Sequence, residues 1–132
     1  HMLVDRGGST EAAKQMLSEA TERLKKGEIM AIFPEGTRNK TDVPILPFKK
    51  GAFILAKHTG APLIPLAILN SGNLWPSGSY IPKPGLIQVA IGRPIIPDRS
   101  SSLIEMSRTA QKVLTELYQE LETRARKPGN ED

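Results

Sequence analysis

A chain of 132 residues is long enough for one domain with its own core, and 39% apolar with 24% charged residues excludes a disordered chain. No run nears the roughly 20 apolar residues of a membrane-spanning helix, and the lack of cysteine excludes thiol catalysis, thiolate metal sites and disulfides. A formal charge of +4 suits an ordinary basic surface, or one with affinity for phosphate groups or an anionic membrane face.

His1 and Met2 read as a cloning scar and are set aside. Residues 3–127 read as one domain fragment and 128–132 as a frayed tail. Over 9–26, Ala12, Ala13, Met16, Leu17, Ala20 and Leu24 recur at helical spacing. Ser9 or Thr10 caps that helix and Gly27 suits its exit. The apolar run Ile29–Phe33, bounded by turn signals, predicts a fully buried strand. Residues 34–50, with three prolines, predict a long loop of the kind that carries function.

A short helix is expected over 51–59, ending at Gly60, and a second strand over 62–68. Pro65 has no N–H for a ladder, so that strand carries a bulge or lies near an edge. Residues 70–85 read as a loop and 86–92 as a third strand. Trp75 and Tyr80 beside Lys83 suit a membrane interface, although a single Trp is more often largely buried, packed into the core or under the Pro-rich loop. The last helix opens at Ser102, where Glu105 completes a capping box, and runs to about Arg126. Ala110, Val113, Leu114, Leu117 and Leu121 form its buried stripe. The pattern is α/β: a mostly parallel or mixed sheet flanked by helices, with a right-handed strand–helix–strand unit over 29–68.

In open α/β sheets ligands sit beyond the carboxyl ends of strands. The stretch FPEGTR begins there. Gly36 permits a tight turn, Thr37 offers a hydroxyl, and Arg38 offers a planar fork suited to phosphate. Lys49 and Lys50 precede a helix start, where backbone N–H groups favour anions. Five Lys or Arg face two acids between Phe33 and His58, so a phosphorylated ligand is the natural expectation. The plain alternatives are a Glu35–Arg38 salt bridge pinning a turn and solvated lysines. There is no Walker A motif and no GxGxxG, and no ligand cluster that implies a metal.

FPEGTR, then LPFKKGAF, then GAPLIPLAI, in that order and spacing, resemble the glycerolipid acyltransferase family, in particular its lysophosphatidate (1-acylglycerol-3-phosphate) acyltransferases. The likeness covers Leu3 to about Ile96. It implies acyl transfer from acyl-CoA or acyl carrier protein to a lysophospholipid hydroxyl, in phospholipid synthesis, with no cofactor. It implies that Arg6, in VDR, helps bind the acceptor. It also implies that Glu35, Gly36, Thr37 and Arg38 bind the acceptor's glycerol-phosphate, that Lys49 belongs to the basic segment after them, and that Pro65 shapes the site near the acyl chain.

The family's first block, NHxxxxD, supplies a histidine base and an orienting aspartate. Neither His1 nor His58 has an Asp at that spacing, so no catalytic residue is identified. In the family that block lies upstream of the arginine block. The chain therefore reads as N-terminally truncated, an inactive but soluble fragment of an enzyme at the cytoplasmic face of a membrane. Self-association through bared apolar surface is expected, and no nucleic-acid partner. The alternatives are a glycerol-3-phosphate or other lysophospholipid acyltransferase, or a non-catalytic module that binds a phosphate ligand or a membrane surface.

Overall fold

The computed structural model describes residues 10–126. Its elements, in chain order, are helix α1 (Thr10–Lys25), helix α2 (Gly51–Thr59), strand β1 (Leu66–Leu69), a single turn α3 (Ser71–Leu74), strand β2 (Gln88–Ile91) and helix α4 (Leu103–Arg126). The expected α/β class is met: α4 packs against a small two-stranded sheet, α2 packs on α4, and α1 packs on α2. No described helix is long and apolar enough to cross a membrane.

The core forms where α2 meets α4. Ala52, Phe53, Leu55 and Ala56 of α2 are buried, as are Met106, Ala110 and Leu121 of α4. Phe53, at 2% exposure, is the centre, and Phe48, Leu63, Ile95 and Leu103 pack around its cluster. Burying a phenylalanine this completely stabilises a fold by roughly 1.5–3 kcal/mol. The capping box is in place: the Glu105 carboxylate accepts the Ser102 N–H at 2.7 Å, and Ser102 Oγ accepts the Glu105 N–H at 3.2 Å. Helix α1 lies on α2 through a narrower stripe than its periodicity suggests. Ala20 is buried and Met16, Leu17 and Leu24 half-buried, whereas Ala12 and Ala13 are exposed.

The two strands pair antiparallel, Leu66 opposite Ile91 and Ala67 opposite Ala90. A further bridge joins Leu63 to Ile95. Two residues separate Leu63 from Leu66 while three separate Ile91 from Ile95, so the β2 side carries one extra residue. The irregularity expected of Pro65 is therefore present, as a bulge in the facing strand. Pro65 is buried, and its carbonyl accepts the Gly92 N–H at 2.8 Å. A side chain added at Gly92 would meet Leu117 of α4 at 2.9 Å, so α4 sits close on this part of the sheet. The opposite face, with Leu66, Val89 and Ile91, is exposed.

Two expectations are corrected. Residues 29–33 form no strand: Ile29 is fully exposed and Phe33 is 76% exposed. An apolar run becomes a strand only where a neighbouring strand takes its N–H and C=O groups, and no described strand pairs with this one. The crossover over 29–68 is accordingly not formed, and pairing among the described residues is antiparallel. Trp75, expected to be packed away, is 52% exposed. Its indole N–H donates to the Ser79 carbonyl at 2.8 Å, so the ring closes its own loop instead of joining the core.

Candidate functional site

The loop between Phe33 and α2 is held shut by its own backbone and side chains. The Pro34 carbonyl accepts the Lys49 N–H at 2.8 Å, joining the two ends. Eleven residues apart, Glu35 Oε2 accepts the Leu46 N–H at 2.9 Å. At the tip, Asn39 Oδ1 accepts from the Thr41 N–H at 2.9 Å and the Thr41 hydroxyl at 2.7 Å, while the Asn39 amide donates to the Val43 carbonyl. Gly36 turns the chain at φ +68°, with its N–H on the Phe33 carbonyl at 3.1 Å. A residue with a Cβ is strained in that left-handed region.

The far end of the loop is fixed by the core. Phe48 stacks on Phe53, ring centroids 6.3 Å apart, and so sets where Lys49 begins. The Lys49 side chain then runs across Gly36. A Cβ placed on Gly36 would lie 2.8 Å from Lys49 Cδ and Cε and 3.0 Å from Nζ. Glycine is favoured here by its backbone angle, and it leaves room for the lysine lying on it. Thr37 and Arg38, the next residues, are exposed, and Arg38 has no hydrogen-bond or ion-pair partner among the described residues. Lys50 precedes α2, whose start no side chain caps.

Of the residues singled out in the sequence, Glu35, Gly36, Thr37, Arg38 and Lys49 belong to this one loop. Glu35 and Arg38 form no ion pair with each other among the described residues, so the salt-bridged turn is not found. Pro65 belongs to a different neighbourhood, the bulge under α4, and no described hydrogen bond links it to the loop. Arg6 lies outside the described residues. His58 is exposed at the end of α2, in a groove shared with Leu17, Thr21 and Ile54. A second groove runs between the bulge, at Arg93, and Val113 and Leu117 of α4. Neither groove includes residues 35–38; Glu35 is half-buried and Gly36, Thr37 and Arg38 are exposed. Among the described residues no three His, Asp or Glu cluster as metal ligands. The contribution of Leu46 escaped the sequence reading, because nothing in a leucine eleven residues on signals that its N–H anchors a carboxylate.

An open, basic loop with one unengaged guanidinium and one overlying ammonium suits a phosphate monoester, which offers several charged oxygens to forked and point donors. The chain is 40% identical over 93 residues to a chloroplastic 1-acyl-sn-glycerol-3-phosphate acyltransferase of Brassica napus, covering 70% of this chain and 27% of that protein. It is 40% identical over 92 residues to the 1-acyl-sn-glycerol-3-phosphate acyltransferase of Pseudomonas aeruginosa, covering 67% and 34%. The crystal structure of the 1-acyl-sn-glycerophosphate acyltransferase PlsC from Thermotoga maritima matches with a TM-score of 0.73 at 36% identity, over 80% of this chain and 44% of that one. The chain thus spans between a quarter and a half of the length of these relatives. The acyltransferase family model matches residues 1–69, more than half of the sequence, and this chain belongs to the acyltransferase family.

Proposed function

We propose that this chain serves an enzyme that transfers a fatty acyl group from an acyl thioester, acyl-CoA or acyl carrier protein, to the free hydroxyl of a 1-acylglycerol-3-phosphate, giving phosphatidate. The hydroxyl oxygen bonds to the thioester carbonyl carbon, the carbon–sulfur bond breaks, and the hydroxyl proton ends on the departing thiol. The part assigned to this chain is to hold the acceptor by its phosphate. The observation that carries the reading is the Lys49 side chain laid over Gly36, next to Thr37 and the exposed Arg38. Arg38 supplies the fork, Lys49 a point charge and Thr37 a hydroxyl, on a loop whose shape is set before the ligand arrives. Arg6 joins them as a fourth contact on the strength of the family likeness. Pro65 acts at one remove, by fixing the sheet at the bulge beside α4.

The sequence holds no Asn-His-x-x-x-x-Asp, and His58 has leucine where the aspartate would stand. We therefore assign these 132 residues acceptor binding without turnover. Membrane contact belongs to the same reading. From Val43 to Pro97 the sequence has five Lys or Arg and no acid, and the exposed apolar side chains Trp75, Tyr80 and Ile81 lie within that stretch. Aromatic and basic side chains together suit the headgroup region of an anionic membrane.

The test is a calorimetric titration with lysophosphatidate below its micelle concentration, and with glycerol 3-phosphate. Losing a charge-assisted pair costs about 1.5–3 kcal/mol, so Arg38→Ala should bind on the order of 10- to 100-fold more weakly. Equal affinities for wild type and Arg38→Ala would remove Arg38 from the site. A preference for glycerol 3-phosphate would move the reaction one acylation earlier.

A further inference from the structure

We propose that Glu35 is a positioning residue of the acceptor loop and not a ligand of the acceptor. The proposal rests on the phosphate-site reading above and assigns one of its residues a different task. Glu35 is half-buried, and one carboxylate oxygen already accepts the Leu46 N–H at 2.9 Å. That bond closes the segment that holds Gly36, Thr37 and Arg38, on the inner side of the Pro34–Lys49 closure. The two bonds run in parallel between the arms 34–35 and 46–49, and together make the arms a two-rung clip. The chain leaves that clip at Glu35 and reaches Arg38 three residues later, so the rung fixes where the guanidinium starts. On the other arm Leu46 lies three residues before Lys49, so the same rung fixes where the lysine starts.

Charge points the same way. A carboxylate free to face a phosphate would repel it; one engaged on a backbone N–H is partly neutralised and held aside. An acid is therefore tolerated inside a phosphate loop because its oxygen is turned to the protein. What the position requires is an acceptor of the right length, and the negative charge is secondary. Glutamine keeps the oxygen and the length, whereas alanine removes both.

The experiment is Glu35→Gln beside Glu35→Ala in the full 132-residue chain, read in two independent ways. Amide hydrogen exchange at Leu46, without ligand, reports the rung itself. Titration with lysophosphatidate reports the site. The expected result is Leu46 protection and affinity within about threefold of wild type for Glu35→Gln, with both reduced about tenfold or more for Glu35→Ala, the loss of one hydrogen bond to a charged acceptor. Unchanged Leu46 protection in Glu35→Ala would show that the rung carries nothing and overturn the proposal. So would a Glu35→Gln protein that keeps Leu46 protection but loses affinity as far as Glu35→Ala, since the charge would then be touching the acceptor. Failure of the phosphate-site reading shows separately, as an Arg38→Ala protein that binds like wild type while the Leu46 exchange pattern still follows the acceptor at position 35.

Discussion

Gly36→Ala tests the loop most directly, because the structure assigns it two separable costs. The first is backbone strain: at φ +68° a residue with a Cβ loses roughly 1–2 kcal/mol relative to glycine. For a chain of this size that lowers the melting temperature by about 3–10 °C. The second cost is steric. The new methyl would lie 2.8 Å from Lys49 Cδ and Cε, well inside contact distance. The obstructing atoms are the far end of a flexible side chain, so the lysine swings away and the fold survives. The ammonium then leaves its place over Gly36, and acceptor affinity should fall about tenfold, the size of one charged hydrogen bond. Calorimetric titration with lysophosphatidate on wild type, Gly36→Ala, Lys49→Ala and the double variant forms a closed cycle. If glycine acts through the lysine, the double variant binds no worse than Lys49→Ala, and the coupling is on the order of 1 kcal/mol. Additive losses in affinity would refute the reasoning, and so would unchanged binding by Gly36→Ala.

Four further outcomes follow from other parts of the molecule. Removing the cap of α4 with Ser102→Ala should cost about 1 kcal/mol, measured by urea unfolding. The same cap shapes the acid limb: hydrogen bonds from Ser102 hold the Glu105 carboxyl below its ordinary pKa, and those from Ser100 do so for Asp98. A depressed carboxyl stabilises the fold above its unfolded pKa and ceases to as pH falls through the folded one, so stability should decline below roughly pH 4, and less steeply in Ser102→Ala. Trp75, the single tryptophan and 52% exposed, should shift its emission to the blue with phosphatidylglycerol vesicles and not with phosphatidylcholine vesicles; a spectrum unmoved by either argues against membrane contact. The exposed run at Ile29, Ile32 and Phe33 and the bare sheet face at Leu66, Val89 and Ile91 should drive self-association that grows with concentration; a monomer by light scattering at every concentration counts against it.

What the sequence disclosed and what it withheld divide along physical lines. Helices α1, α2 and α4 were legible because local signals mark them: spacing on one face, a capping box at Ser102 and Glu105, and glycines at 27 and 60 after the last turns. Those signals act over three or four residues, and local chemistry is enough to decide them. Strands are decided elsewhere, by whatever lies beside them. Ile29–Phe33 has the composition of a buried strand and pairs with nothing among the described residues, while Leu66–Leu69 finds β2 and is ordered by it. The site divides in the same way. The residue types of FPEGTR already spelled a basic turn, yet the use of Glu35 could not be read from them, because its partner is a backbone group brought close by the course of the loop. That course depends on Phe48, whose ring on Phe53 ties the segment before Lys49 to the core. The phosphate chemistry proposed for an exposed loop is thus anchored to a buried pair of aromatic rings. A defect at Phe48 should therefore reach the acceptor site through Lys49 even though Phe48 touches no ligand.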